Sequence, residues 1–251
     1  MAAARTGQRQ RALGFRRGAA GPRVSRLPPG RPLVGLVTDR KRLAPSASEA
    51  VACARLIDQV GAAARAGVAV VQVRERGLSD AALDALVGRC VEAVAGTACL
   101  VLVNDRLDIA MACRAHGVHL RADSYSARRV REIAPDSFVV GRSVHAAGEA
   151  AEIREEGGVD YVMYGSVFVT PSKPPGWAAG GLAGLSAAVA AAAPVPVLAI
   201  GGMTPAVAAD VAGTGAAGLA GIGLWLATDR ARLDITVAAV RQAFDSSSVF
   251  H

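Results

Sequence analysis

From residue 32 onward, short aliphatic and β-branched runs alternate with longer Ala-rich or amphipathic stretches. The apolar runs read as strands at 33–37, 68–73, 99–103, 118–120, 138–140, 161–164, 197–200 and 218–222. Between them, helical stretches are expected near 48–66, 79–95, 106–115, 126–134, 146–157, 182–193, 204–214 and 229–244. The runs are apolar at nearly every position, which predicts strands buried on both faces of a helix-covered parallel sheet. Three runs open on a Gly-Val step, at Gly67, Gly117 and Gly158. A glycine just past a helix takes the left-handed C′ conformation at little cost, so each step predicts a helix-to-strand turn. Eight such units over residues 32–251 predict an α/β protein, a single (β/α)8 TIM barrel. A doubly wound open sheet would carry G-x-G-x-x-G after its first strand, and none stands directly after the first strand here.

A length of 251 residues suits one such barrel. Hydrophobic residues at 52% and charged residues at 20% exclude a disordered chain, and 4% aromatics argue against a β-sandwich. Cys53, Cys90, Cys99 and Cys113 show no C-x-x-C spacing, so buried free thiols in a reducing compartment are expected rather than a zinc ribbon or disulfide scaffold. The net charge of +7 is confined to one end. Residues 1–31 hold eight arginines and no acid, leaving 20 of the 28 basic residues against 21 acids in the remainder. With its Gly and Pro and no apolar period, segment 1–31 reads as a disordered Arg-rich tail, and 32–251 as the barrel. The tail lacks the apolar core of a secretory signal, and no nucleic-acid partner is expected. The uncharged stretch 176–209 is broken by Pro194, Pro196 and Gly201-Gly202, so a helix, a turn and a strand are expected there rather than a membrane span. A soluble, cytoplasmic protein is the expectation.

Catalytic groups of such barrels sit at the C-terminal strand ends. Here those ends carry Thr38-Asp39, Gln72 to Arg76, Asn104-Asp105-Arg106, Arg121 and Asp123, Gly141 to His145, Thr170 to Lys173, Gly201-Gly202, and Gly221-Ile222-Gly223. The last two glycine clusters follow strands seven and eight, where backbone N–H groups often hold phosphate.

The runs Gln72-Val73-Arg74-Glu75-Arg76, Val103-Asn104-Asp105-Arg106, Gly141-Arg142-Ser143-Val144-His145, Thr170-Pro171-Ser172-Lys173 and Ala199 to Pro205 resemble the thiamine phosphate synthase/TenI superfamily. The resemblance implies one of two activities. One joins an aminopyrimidine pyrophosphate to a thiazole phosphate carboxylate. The other, in the TenI branch, isomerises the thiazole precursor to its aromatic tautomer. Arg76 stands where the synthase pattern has Lys, and the Gly141–His145 and Gly201–Pro205 runs are nearer TenI, so the resemblance implies a thiazole tautomerase. Thr170 to Lys173 fits the synthase loop, and the alternative is a Mg²⁺-dependent thiamine phosphate synthase. Asp105 matches that enzyme's first metal position, whereas Ser124 falls at the second, with Asp123 one residue early. A third reading is a binding module without catalysis.

For the tautomerase, the resemblance assigns acid–base work to His145 and implies no cofactor; Mg²⁺ is implied only for the synthase. His119 lies inside strand four, where a satisfied core histidine is expected, and His116 and His251 look peripheral. The expected ligand is a phosphorylated thiazole, with a homo-oligomer left open. Its binding residues are expected to be Gln72, Arg74, Arg76, Asn104, Ser143, Thr170, Ser172, Lys173, Gly202, Ile222 and Gly223. The cationic ones would supply charge-assisted hydrogen bonds.

Overall fold

The computed structural model describes residues 26–171, 176 and 178–247. Eight parallel strands close into a barrel: β1 (Leu33–Val37), β2 (Val70–Val73), β3 (Leu100–Asn104), β4 (Gly117–Leu120), β5 (Val139–Val144), β6 (Tyr161–Gly165), β7 (Val197–Ile200) and β8 (Gly218–Gly221). Closure comes from β1 pairing with β8, Leu33 opposite Gly218. The long helices are α2 (Glu49–Ala66), α3 (Asp80–Ala93), α6 (Ala147–Glu156), α7 (Gly181–Ala192) and α9 (Arg230–Ser247); α4 (Leu107–Ala112), α5 (Ala127–Ile133) and α8 (Ala208–Gly213) are shorter. A four-residue helix absent from the sequence reading, α1 (Arg40–Leu43), follows β1. Ser48 and Ser79 cap α2 and α3 by accepting from Val51 N and Ala82 N, which satisfies N–H groups that a helix start leaves unpaired.

Strand alternation separates two cores. Val71, Val101, Val103, Val118, Leu120, Val140 and Val162 face the helices in a large outer cluster. Leu33, Val37, Val70, Leu102, Val139, Tyr161, Met163 and Leu198 fill the barrel interior. Above this inner plug the same alternation aims Gln72, Asn104, His119 and Ser143 at the C-terminal mouth.

Three expectations change. Gly67 and Gly158 have the left-handed φ expected after a helix, at +98° and +89°, but Gly117 lies within β4. A Cβ there would stand 2.1 Å from the Val139 carbonyl oxygen, so close strand packing explains that glycine. β5 runs to Val144, which makes Ser143 a strand residue rather than a loop residue. Residues 26–31, read from sequence as tail, lie against the barrel: Leu27 is buried in the inner cluster and Arg26 pairs with Asp160 at 2.9 Å. The rest of the expected tail, residues 1–25, lies outside the described residues. All four cysteines are free thiols, with Cys90 and Cys99 buried. The uncharged stretch holds α7 and β7, and no described helix is long and apolar enough to cross a membrane.

Candidate active site

The mouth is built outward from the strand ends. Gln72 is buried, and its side-chain N–H donates to Asn104 Oδ1 at 2.9 Å. That bond leaves the Gln72 carbonyl to accept and an Asn104 N–H to donate, a pair matching the edge of an aminopyrimidine. Beyond Gln72, the Arg74 backbone N–H is fixed by Thr38 Oγ1 at 3.0 Å. Glu75 turns away to a buried pair with Arg40 at 3.0 Å, and also accepts from the Arg40 backbone N–H. With Glu75 engaged, the Arg74 guanidinium makes no hydrogen bond or ion pair with a described residue. Burial and the neighbouring Arg76 cation push its pKa down. Two adjacent cations, one half-buried, are an arrangement that suits an anion.

Ser143 projects into the same mouth beside a buried histidine. His119 Nε2 lies 2.9 Å from Ser143 Oγ, and His119 Nδ1 lies 2.8 Å from the Tyr161 hydroxyl. Burial lowers the His119 pKa to about 3, so the ring is neutral, and burial pushes the Tyr161 phenol up. The expectation of a satisfied core histidine is met, with a further consequence. His119 Nδ1 is the acceptor available to the buried Tyr161 phenol among the described residues, which assigns the ring proton to Nε2; Nε2–H then donates to Ser143 and the Ser143 proton is left for a ligand.

The glycine clusters stand where expected, after β7 and β8. Gly202 has φ +68°, and a Cβ there would meet Phe168 Cβ at 2.6 Å and the Val169 carbonyl oxygen at 2.9 Å. Backbone conformation and crowding therefore require this glycine whatever it binds. Thr170 lies just beyond that contact and is half-buried. Ile222 packs on the inner core. At Gly223 an added Cβ would lie 3.4 Å from an Arg42 terminal nitrogen, which brings to the β8 cradle a cation that sequence reasoning missed. Its only signal was the basic run Arg40-Lys41-Arg42 after the first strand. Ser172 and Lys173 lie outside the described residues.

His145 is exposed, and its Nδ1 donates to the Gly165 carbonyl while its backbone N–H meets Glu149 at 2.7 Å. Asp105, the candidate metal ligand, has φ +63°. Its carboxylate meets Arg121 Nε at 2.9 Å, and Asp123 approaches the same nitrogen at 3.4 Å. Ser124 Oγ is buried without a hydrogen-bond partner among the described residues. Among the described residues no group of three or more His, Cys, Asp or Glu side chains could hold a metal ion. Mg²⁺ takes one or two carboxylates together with substrate phosphate oxygens and water; here both nearby carboxylates, Asp105 and Asp123, already face the Arg121 guanidinium, which fills the place of a cation between them.

A family model described as Thiamine monophosphate synthase matches residues 44–224. The thiamine-phosphate synthase of Roseiflexus castenholzii is 38% identical over 193 residues, covering 77% of this chain and 80% of that protein. The thiamine-phosphate synthase of Methanoculleus marisnigri is 39% identical over 158 residues, covering 63% and 74%. Among solved structures, thiamine phosphate pyrophosphorylase from Pyrococcus furiosus superposes with a TM-score of 0.71 at 28% identity, covering 87% of this chain and 98% of that one. The synthase names of these relatives overturn the expectation of a thiazole tautomerase, an isomerase. The proton-shuttle role of His145 was an expectation of that reading and is not carried further.

Proposed function

Because the chain belongs to the thiamine monophosphate synthase family, we propose that it is a thiamine-phosphate synthase, a transferase that joins an aminopyrimidine pyrophosphate to a thiazole phosphate. The observation that carries this reading is the half-buried Arg74, without a hydrogen bond or ion pair from its guanidinium to a described residue, held beside Arg76 at the end of β2. In the reaction the thiazole nitrogen forms a bond to the pyrimidine methylene carbon. The carbon–oxygen bond to pyrophosphate breaks, and pyrophosphate leaves with the bonding pair.

Negative charge grows on the leaving oxygen, so fixed cations stabilise the transition state more than the ground state. Arg74 and Arg76 serve that role. The Gln72–Asn104 pair orients the aminopyrimidine edge, and the Ser143 hydroxyl donates to a ligand oxygen. The phosphate of the thiazole partner lies against Gly202, Ile222 and Gly223, with Arg42 beside it. Thr170 follows directly on the Phe168 and Val169 contacts to Gly202, and Ser172 and Lys173 are assigned to the phosphate from the sequence alone. No step is assigned to a metal, since the donor set does not fit one.

The test is release of inorganic pyrophosphate in the presence of both substrates. Stoichiometric pyrophosphate and thiamine phosphate are expected, with none when the thiazole phosphate is omitted. Consumption of both substrates without pyrophosphate, or no turnover, would overturn the assignment.

A further inference from the structure

The loop from β4 to α5 carries a side chain whose arrangement the reaction above does not use. Arg121 Nε lies 2.9 Å from an Asp105 carboxylate oxygen and 3.4 Å from one of Asp123. Neither of its terminal nitrogens makes a hydrogen bond to a described residue, and the side chain is 52% exposed. The loop beneath it is pinned from inside. The buried Arg142 donates to the carbonyls of Ala122, Ser124 and Tyr125 at 2.9, 3.0 and 2.8 Å, and the Tyr125 hydroxyl donates to the Asp105 carbonyl at 3.3 Å.

We propose that Arg121 takes the place of a divalent cation at the leaving-group site, clamping Asp105 and Asp123 through Nε and offering its terminal N–H groups to pyrophosphate oxygens. The identity of the anion rests on the synthase reading above. A free Asp105 carboxylate beside a departing pyrophosphate would repel it, and some cation must lie between them. Mg²⁺ would need near-octahedral oxygen donors at about 2.1 Å, and would have to displace the guanidinium from Asp105. A guanidinium has N–H donors on all three nitrogens in one plane, so it can bind a carboxylate on one side and a phosphate on another. Together with Arg74 and Arg76 it completes a cation set made wholly of protein groups.

Calorimetric titration of the full chain with inorganic pyrophosphate, in EDTA and in millimolar Mg²⁺, tests this directly. The dissociation constant is expected to differ by less than about threefold between the two buffers. Losing one charge-assisted interaction costs about 1.5–3 kcal/mol, so Arg121→Gly should weaken binding in EDTA by about tenfold or more. Mg²⁺ should then restore most of it by occupying the vacated Asp105. Arg121→Lys should recover only part, because one ammonium cannot hold a carboxylate and present a planar set of donors. An unchanged melting temperature shows that the variants are folded. Pyrophosphate binding by the unaltered chain only with Mg²⁺, or an Arg121→Gly variant with full affinity in EDTA, overturns the proposal. A pyrophosphate-release assay in the same two buffers separates the readings. Release that is absent in both, with metal-independent binding intact, removes the synthase and keeps the Arg121 site. Release and binding that both require Mg²⁺ keep the synthase and remove Arg121 from the cation's role.

Discussion

The two ends of the barrel both carry arginines and aspartates, and they use them in opposite ways. At the N-terminal end Asp160 accepts from Arg26 at 2.9 Å, from Arg131, and from the Val140 backbone N–H at 2.7 Å. Arg131 also donates to the carbonyls of Gly158 and Phe138, and Leu27 closes the interior from below. Those groups satisfy one another. At the C-terminal mouth Arg74 and Arg76 face each other's charge without an ion pair to a described residue, and Asp105 sits in a strained φ. Interactions left open at one end and saturated at the other place ligand binding at the first and stability at the second.

The largest effect that could break this contrast is at Arg74. Arg74→Met removes the half-buried cation while keeping much of its volume. Loss of a preorganised charge-stabilising donor typically costs about 10²–10³-fold in turnover, and that drop is expected in pyrophosphate release. Thermal stability should stay level or rise, since an unpaired cation no longer has to be desolvated. A variant that loses stability in step with activity would mean the mouth cations also hold the fold.

Asp160→Asn is the counterpart at the other end. The carboxylate is 9% exposed and its arginine partners are 20–25% exposed, so solvent screens part of the interaction. Breaking a fully buried pair costs about 3–5 kcal/mol, and after that discount about 2–3 kcal/mol is expected by urea unfolding. The kinetic constants for pyrophosphate release should not move. A changed KM would couple the two ends and weaken the division drawn between them.

The parts legible in the sequence were those that repeat. All eight strands follow from apolar runs, and Gln72 and Asn104, 32 residues apart, both stand out as polar residues at strand ends, where they bond to each other. What escaped depends on tertiary neighbours. Gly117 carries the same Gly-Val signature as Gly67, yet only the approach of Val139 shows that its glycine serves packing. Arg142 and Ser143 look like loop residues because they are polar, but a barrel strand can be polar where it reaches the mouth. Arg42 and Arg121 acquire roles only through loop conformations that no periodicity encodes. The tautomerase expectation failed for a related reason. Letters such as Arg76 and His145 mark a superfamily, but do not by themselves separate its branches, and the synthase relatives decide between them.

His119 lies between the two regimes, and its smaller effect sharpens the comparison. It is fully enclosed like the groups at the base, yet its Nε2–H holds Ser143, which faces the mouth. Burial lowers its pKa to about 3, with Asp105 raising it and Arg74 lowering it, whereas an unfolded histidine titrates near 6.5. Between those values the unfolded chain binds a proton that the folded chain refuses. Stability therefore falls as pH falls below about 6.5, by about 1.4 kcal/mol per pH unit, and is insensitive to this group above it. His119→Asn removes the titration. From pH 6.5 to 5.5 the unaltered chain should lose about 1 kcal/mol more than the variant, read as the difference between their urea unfolding curves. Other titrating groups are common to both proteins and cancel. Ser143 should also lose its fixed donor direction, so the variant should show a raised KM for the aminopyrimidine pyrophosphate with a smaller change in kcat. Parallel stability curves over that window would mean that His119 takes up a proton in the folded state. An imidazolium donates from both nitrogens, so the Tyr161–His119–Ser143 chain could not then run in the direction assigned to it.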